Sequence, residues 1–247
     1  MDVIIILIAL VALALAALRW GVKSTEGIYS PEWERRQRWY GFHLQKSNVS
    51  PLRRGFETAA GPLILQSFCS PALVASLKAE RGLHAFAHSP EREHQLLLGI
   101  AERPDCALTL AYTPDGEIVG QVTLAPADTW WQGVANTYEL AIEVSSHWRR
   151  LGIARQLLSL ALEHPVVEEM VLAAVGLSWH WDLKGSGLSP FRYRSLLAHI
   201  LEPYHFFECL TDEPNVGMDP ANILLVRIGK RVEQEVMDQL FQRMRFF

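Results

Sequence analysis

The sequence contains few cysteines, and their number is odd. Among its 247 residues there are three, at Cys69, Cys106 and Cys209. They stand far apart and lack the short spacings of zinc sites, and three thiols do not make a disulfide framework. The pattern therefore predicts buried thiols in a protein of a reducing compartment, with neither a metal site nor a disulfide network.

Positive charge is missing from the first 18 residues, where Asp2 is the sole charged side chain. Residues 3–18 form an uninterrupted apolar run, with Arg19 and Lys23 after it. A signal peptide normally has a basic segment ahead of its apolar core, and a buried core helix normally has a polar face. We therefore expect residues 1–20 to form a single transmembrane helix, with an interfacial helix as the alternative. Since the basic residues follow the run, the rest of the chain is expected on the cytoplasmic side of the cytoplasmic membrane.

Residues 21–55 are predicted to form a basic stem. Between Arg19 and Arg54 the chain has eight basic and three acidic residues, interleaved with aromatic side chains. This composition is typical of a segment lying on anionic lipid headgroups, of a nucleic-acid surface or of a solvated linker. The neighbouring apolar run favours the lipid bilayer as partner. No nucleic-acid partner is expected, because the part of the chain after the stem is acidic.

Residues 56–231 show the periodicities of one α/β domain. Helix starts are predicted at Ser70-Pro71 and Ser89-Pro90, where serine is a capping residue and proline suits the first helical position. A hairpin is predicted around the turn at residues 113–116. The strands are predicted at 62–68, 107–112, 118–126, 138–144, 169–175, 206–210 and 222–228, and the longer helices at 91–102, 151–162 and 190–201. Residues 232–247 are predicted to form a helical tail, since apolar side chains recur there every four residues.

The most informative stretch is residues 138–162. Its first part alternates as a half-buried strand does, and its last part has the apolar stripe of a helix. Between them lies the loop 149–154, with the sequence RRLGIA. The first backbone N–H groups of the following helix have no intrahelical partner, and together with the helix dipole they suit a phosphate group. Two arginines add positive charge, and the small residues Gly152 and Ala154 leave room for the anion.

This loop resembles the pyrophosphate-binding motif of the GNAT N-acetyltransferase superfamily, in which Arg or Gln is followed by x-x-Gly-x and then Gly or Ala. The order of predicted elements from 56 to 231 is similar as well. The resemblance implies a mixed, mostly antiparallel sheet flanked by helices, with acetyl-CoA as co-substrate and no metal. It also implies that the backbone of Ile142 and Val144 pairs with the pantetheine arm. The phosphates would then be held by Arg149, Arg150, Gly152, Ile153 and Ala154.

Further stretches narrow the resemblance to one branch of the superfamily. Residues 179–189 with Tyr193-Arg194 beyond them, and residues 220–232, are similar to the acetoin-utilisation (AcuA) family, and residues 83–86 and 139–144 fit it too. This resemblance implies an N-acetyltransferase that acts on a lysine of a protein. It implies acetyl-CoA synthetase as the protein partner that is acetylated and so inactivated. The predicted anchor and stem are additions to the pattern of that family.

Acetyl transfer to a lysine needs a base, because a pKa of about 10.4 keeps the free amine protonated at neutral pH. The resemblance to histone-type GNAT enzymes makes Glu139 the first candidate, and Glu143 on the same face of the strand is the alternative. A glutamate that faces solvent or bonds an arginine would instead be structural. Tyr193 lies in the helix that supplies a general acid for the departing thiolate in many GNAT enzymes.

Three polar residues, His180, Asp182 and Lys184, lie between tryptophans and glycines in a stretch expected to line the acceptor side. A structural, hydrogen-bonded loop is the alternative interpretation. One histidine and one aspartate do not complete a zinc site, so no metal is expected there. Two other functions stay open: acetylation of a small-molecule amine, and a non-catalytic sensor that binds acyl-CoA.

Overall fold

The computed structural model of the chain describes residues 49–83 and 89–244. The predicted anchor, the predicted stem up to residue 48 and the segment 84–88 lie outside these ranges, so the interpretation of those parts stays a prediction. Within the described ranges, no helix has both the length and the apolar character that a bilayer span requires.

Strands make up the centre of the described structure. In chain order they are β1 (Arg53–Thr58), β2 (Gly61–Gln66), β3 (Lys78–Ala79), β4 (Ala107–Tyr112), β5 (Glu117–Pro126), β6 (Thr137–Val144), β7 (Val171–Gly176), β8 (Phe207–Glu208) and β9 (Ile223–Ile228). In the part of the chain that is described, they form one sheet in the order β1-β2-β4-β5-β6-β7-β9-β8, with β3 beside β5. Only β3–β5 and β6–β7 are parallel among these pairs. The prediction of a mixed, mostly antiparallel sheet is therefore confirmed.

Helices flank this sheet; those that begin at residues 71, 90 and 190 start where the sequence predicts, whereas the two short helices at 183–186 and 214–217 were not predicted. They are α1 (Pro71–Ser76), α2 (Pro90–Glu102), α3 (Ile153–Leu162), α4 (Leu183–Ser186), α5 (Pro190–Leu201), α6 (Pro214–Gly217) and α7 (Gln234–Met244). Ser70, Ser89 and Ser189 each accept a hydrogen bond from the backbone N–H three residues further on, and a proline follows each serine. These caps satisfy donors that a helix start otherwise leaves unpaired.

The core lies on both faces of the sheet because successive side chains of a strand point to opposite sides. On one face, Tyr138 and Leu140 of β6 pack with buried residues of α3. On the other face, Ala173 of β7 lies in a cluster that α7 covers with Val236, Leu240 and Met244. The helix predicted from the spacing in the tail is thus present and packs against the sheet.

Several elements differ from the sequence prediction in their bounds or were not predicted, and two of these differences have a clear structural reason. The first strand already begins at Arg53, inside the segment predicted as the stem, and its residues are mostly exposed. The strand predicted from residue 169 begins at Val171, because Pro165–Glu169 forms a 3-10 helix capped by His164. Both boundaries depend on backbone pairing and capping that hydrophobic alternation does not report.

Candidate active site

Strands β6 and β7 separate after Glu139, and the gap between their facing edges is called the cleft below. The two strands pair side by side for three residues only, and the pairing ends at Glu139 opposite Ala173. From there β6 runs on to Val144 along β5, while β7 runs on to Gly176 along β9. Strand edges that face such a gap present backbone donors and acceptors that an amide-containing ligand can pair with. The predicted pantetheine-binding residues Ile142 and Val144 lie on this part of β6.

The phosphate loop (residues 145–152) follows β6 and leads into α3. Arg150 and Gly152 have φ angles of 64° and 79°, so the chain turns through two left-handed residues. Gly152 caps α3 without any side-chain hydrogen bond. The first backbone N–H groups of α3 therefore have no side chain as acceptor, which fits the predicted phosphate role. Ile153 at the start of the helix is buried in the core.

Glycine is required at position 152 for a different reason than the sequence indicates. A side chain there would not be crowded, since an added Cβ would lie 3.8 Å from its nearest neighbour, the Phe56 ring. The φ angle of +79° is what favours glycine, because other L-residues are strained in this region. Glycine is required here by the turn, in addition to any room that it leaves for an anion.

The two arginines of the loop have different surroundings. Arg149 is half-buried, with its Nη1 2.7 Å from the Asp182 carboxylate and its Nε 3.5 Å from the carbonyl oxygen of Val144. Arg150 is exposed. Arg149 thus lies in the mouth of the cleft and contacts residues from both of its sides.

A buried carboxylate supports the phosphate loop, and sequence reasoning missed it. Glu80 accepts hydrogen bonds from the Ser145 hydroxyl, from the Gly82 backbone N–H at 2.8 Å and from the His147 ring, whose Nδ1 is 2.9 Å away. Burial alone would raise the pKa of Glu80, but these hydrogen bonds lower it below its usual value. Ser145 and His147 lie 65 and 67 residues from Glu80 in the sequence, so no local pattern could have indicated these two contacts.

Glu139, the predicted base, lies at the point where the cleft opens. Burial, together with the negative charges of Asp128 and Glu213, raises its pKa to about 7. A hydrogen bond from the Asp128 backbone N–H, at 3.4 Å, opposes this shift in part. A carboxylate with a pKa near neutrality is suited to accept and release protons at physiological pH.

Tyr193, the predicted acid, is on α5 across the cleft. Its ring is stacked on that of Trp181, with centroids 5.1 Å apart and an interplanar angle of 11°. Burial raises the pKa of the Tyr193 phenol; Arg149 opposes this, and the negative charges of Asp182 and Glu143 reinforce it. A phenol with a raised pKa keeps its proton at neutral pH and can donate it.

The acceptor-side loop (residues 177–189) carries the three residues predicted to contact the acceptor, and the structure separates them. His180 and Lys184 are exposed, with His180 edge-on to Trp179. Asp182 instead faces inward: one carboxylate oxygen caps α4 by accepting from the Gly185 N–H at 2.8 Å, and the other pairs with Arg149. Of these three residues, His180 and Lys184 have exposed side chains, whereas the Asp182 carboxylate is engaged within the protein.

Asn222 anchors the acceptor-side loop, a role that the sequence analysis did not assign to it. Its side-chain oxygen accepts from the Ser178 N–H at 2.7 Å, and its amide donates to the Asn215 carbonyl oxygen at 2.8 Å. Asn222 is buried just ahead of β9, so it holds the loop to the end of the sheet. The preceding Pro-Ala in the sequence marks a turn but not this contact.

The donor groups around the cleft fit an organic diphosphate ligand. Glycine at the helix start, exposed Arg150 and the open edge of β6 are all present.

Within residues 49–83 and 89–244, no three His, Cys, Asp or Glu side chains are arranged to hold a metal ion. All three cysteines are buried, and burial together with Glu208 raises the pKa of Cys209 to about 11.

Comparison with known proteins places the chain in a family. The acetyltransferase (GNAT) family matches residues 73–174. The acetoin utilization protein AcuA of Bacillus subtilis (strain 168) is 34% identical over 197 residues, which cover 77% of this chain and 92% of that protein. The acetoin utilization protein AcuA of Bacillus licheniformis is 32% identical over 195 residues, covering 77% and 91%.

A solved structure agrees with these relatives. The crystal structure of an acetoin utilization protein from Exiguobacterium sibiricum 255-15 superposes with a TM-score of 0.75 at 32% identity, covering 79% of this chain and 94% of that one. The identity, the coverage and the fold point to the same family as the phosphate loop does. The chain is therefore a member of the GNAT acetyltransferase family, similar to the AcuA proteins, and it is an N-acetyltransferase of the kind that uses acetyl-CoA.

Proposed function

We propose that the chain transfers the acetyl group of acetyl-CoA to the side-chain amine of a protein lysine, and that acetyl-CoA synthetase is the protein it acetylates. The observation that carries the proposal is the pKa of Glu139, raised to about 7 at the opening of the cleft. A lysine ammonium has to lose a proton before it reacts, and a base with this pKa is available at neutral pH.

In the proposed reaction, Glu139 and Tyr193 each transfer one proton. Glu139 accepts a proton from the lysine ammonium, directly or through a water molecule. The amine nitrogen then forms a bond to the acetyl carbon while the carbon–sulfur bond breaks. Tyr193 donates its phenolic proton to the departing sulfur, the acylated nitrogen loses its second proton to solvent water, and solvent returns a proton to the Tyr193 phenolate. Glu143, buried on the same face of β6, is the alternative base.

The co-substrate would be held by the phosphate loop and by the edge of β6. The N–H groups of Ile153 and Ala154, with the side chains of Arg149 and Arg150, are the proposed phosphate contacts. The backbone of Ile142 and Val144 is the proposed contact of the pantetheine arm. When bound, acetyl-CoA supplies the activated acetyl group; the residues of this chain bind it, orient it and move the protons.

A protein acceptor is favoured over a small amine by the surface near the cleft. Trp179 and Phe191, on the acceptor-side loop and α5, are large apolar side chains that are exposed. Exposed aromatic side chains beside a reaction site are typical of surfaces that bind another protein. The choice of acetyl-CoA synthetase follows from the resemblance to the AcuA proteins.

We further propose that the chain is held at the cytoplasmic membrane by one N-terminal helix, with the acetyltransferase domain on the cytoplasmic side. The support is the charge-free run at residues 3–18 and the basic residues that follow it. Acetyl-CoA is available in the cytoplasm, so this orientation agrees with the proposed reaction.

The proposal is tested by incubating the full-length protein with labelled acetyl-CoA and purified acetyl-CoA synthetase. Mass spectrometry is expected to find one acetylated active-site lysine, and the synthetase with that lysine changed to arginine should remain unlabelled. Polyamines and aminoglycosides serve as small-amine substrates. Turnover of those amines without labelling of the synthetase would contradict a protein acceptor.

A further inference from the structure

Two segments face each other across the mouth of the cleft, and one ion pair joins them. The phosphate loop follows β6, and the acceptor-side loop follows β7. Arg149 of the first loop and Asp182 of the second are 2.7 Å apart, and their side chains are 28% and 33% exposed. Because both groups are partly withdrawn from water, their attraction is less screened than that of a surface pair.

Asp182 is fixed within its own loop. Its second carboxylate oxygen accepts the Gly185 N–H and caps α4. The carboxylate lies so close to Gly185 that a side chain at that position would collide with it. A movement of Asp182 toward or away from Arg149 therefore moves the backbone of the acceptor-side loop with it.

The neighbour of Asp182 in the chain reaches the proposed acid. Trp181 is stacked on Tyr193, and its ring also packs against the last residue of β7, where a Cβ on Gly176 would lie 3.3 Å from Trp181 Cζ2. The contacts thus run from Arg149 through Asp182 and Trp181 to Tyr193. Each step is a direct contact or a covalent neighbour.

We propose that Arg149 and Asp182 are a positioning pair that couples the phosphate loop to the placement of Tyr193. Arg149 sits beside the start of α3, where the phosphates of the co-substrate are proposed to bind. Its guanidinium has enough N–H donors to contact a phosphate and a carboxylate at once. Asp182 then acts through Arg149 and Trp181, and it does not contact the acceptor lysine.

This inference rests on the proposed roles of the phosphate loop and of Tyr193, but not on the identity of the acceptor. It predicts that loss of the Asp182 charge reduces turnover without weakening co-substrate binding. Arg149 without its carboxylate partner keeps its full positive charge for the phosphates. Affinity for CoA should therefore be unchanged or higher, while kcat falls because Tyr193 is less well placed.

The experiment uses the full-length protein with Asp182→Asn, which keeps an oxygen to cap α4. We expect kcat to fall by about 10- to 100-fold, as slight misplacement of a catalytic group does, with an unchanged KM for the acceptor. CoA binding, measured by titration calorimetry, should not weaken. In the Arg149→Gln background, Asp182→Asn should cause no further loss of kcat, since the two residues act together.

A second readout does not depend on turnover. The ionisation of Tyr193 can be followed as the ultraviolet absorption difference between each protein and its Tyr193→Phe variant. The charges that act on this phenol are Arg149, Asp182 and Glu143. Asp182 raises its pKa, so Asp182→Asn should lower that pKa.

The matched control is Glu208→Gln. It breaks the ion pair between Arg194 of α5 and Glu208 of β8, which is 2.5 Å long with the arginine 28% exposed, as Arg149 is. This pair does not cross the cleft, so kcat and the Tyr193 pKa should stay as in the unaltered protein. An equal loss in both variants would show that any broken ion pair near α5 slows the enzyme, and would overturn the proposal.

Other outcomes are equally decisive. A raised acceptor KM with unchanged kcat would show that Asp182 contacts the acceptor, and independent, additive losses in the double variant would deny the pairing. If Asp182→Asn lowers the Tm strongly, the Arg149→Lys variant is used in its place. Lysine keeps the positive charge beside the phosphates but lacks the forked guanidinium, so kcat is again expected to fall. Should the unaltered protein acetylate only small amines, the protein-acceptor proposal fails, while the same measurements with such an amine still test the pair.

Discussion

Glu139 accepts a hydrogen bond from the backbone N–H of Asp128 at 3.4 Å, and the side-chain charge of the same aspartate raises the pKa of the glutamate. The carboxylate of Asp128 therefore opposes ionisation of Glu139, whereas its backbone N–H favours it. Its carboxylate also caps the 3-10 helix Thr129–Trp131 by accepting from the Trp130 N–H at 2.8 Å. The backbone contact and the charge can be separated by mutation, because asparagine retains the first and removes the second.

The first prediction concerns Asp128→Asn. With the neighbouring negative charge gone, the pKa of Glu139 should drop below about 7. The acidic limb of the kcat/KM profile against pH, which marks protonation of the free enzyme's base, should move to lower pH. Burial remains the larger cause of the raised pKa, so the limb should stay above the pH expected for an exposed glutamate. An acidic limb at the same pH in both proteins would remove Glu139 as the titrating base.

The second prediction concerns the phosphate loop. Gly152→Glu places a negative charge beside the proposed phosphate site and should raise the KM for acetyl-CoA by about tenfold or more, which corresponds to about 1.4 kcal/mol. The φ angle of +79° strains any replacement, so Gly152→Ala is the control for strain alone. The glutamate variant should bind CoA more weakly than the alanine variant in calorimetry. Equal binding by the two would show that the loop does not hold the phosphates.

The third prediction concerns the buried support of that loop. Glu80→Gln removes a charged acceptor shared by Ser145, Gly82 and His147, and should lower the free energy of unfolding by about 1–3 kcal/mol at neutral pH. The folded-state pKa of Glu80 is lowered, so its contribution is present above the unfolded-state pKa and is lost as the pH falls through the folded-state value. Urea unfolding at pH 7 and at low pH measures both effects.

The control for this variant is Arg81→Ala. Arg81 is 84% exposed and 3.7 Å from Glu80, so its removal should change stability little. A difference between Glu80→Gln and the unaltered protein that persists unchanged at low pH would contradict the linkage to ionisation.

The fourth prediction concerns the N-terminal run. The full chain should sediment with membranes and resist extraction by high salt, because a spanning helix is held by apolar burial and not by charge. Leu13→Arg, which places a charge in the middle of the run, should reduce membrane association. A chain that begins at Val49 keeps β1 and should be released in active form.

Salt extraction separates the two interpretations of this segment. A basic stem alone would adhere to the membrane through electrostatic attraction. In 1 M salt the Debye length is about 3 Å, so this attraction is largely screened. If high salt releases the full chain, the spanning helix is wrong and an interfacial segment takes its place. Accumulation of a cleaved form outside the cytoplasm would contradict both.

The sequence predicts those parts of this structure that depend on neighbours along the chain. The strand Thr137–Val144 and the helix Ile153–Leu162 are found within two residues of their predicted bounds, because alternation and the glycine turn are local signals. The serine caps of α1 and α2 are local in the same sense. The edge strand β1 escaped prediction because its exposed sequence, RRGFET, shows little alternation.

The candidate site could be predicted only in part, for a related reason. The loop motif indicates a phosphate, and strand position indicates a glutamate, but neither reveals the surroundings of these groups. Arg149 meets Asp182 across 33 residues, and Glu80 meets Ser145 across 65. Burial and the charges of Asp128 and Glu213 raise the pKa of Glu139, and only the fold brings these groups together.

The final prediction tests the central claim, that Glu139 is the base for acetyl transfer to a protein lysine. Full-length protein and its Glu139→Gln variant are compared in single-turnover transfer of labelled acetyl groups to acetyl-CoA synthetase, with CoA affinity measured in parallel. The account predicts a rate about 10²–10⁴ lower in the variant with nearly unchanged CoA affinity, because only proton removal is lost. An unchanged rate, or a loss confined to CoA affinity, would contradict it.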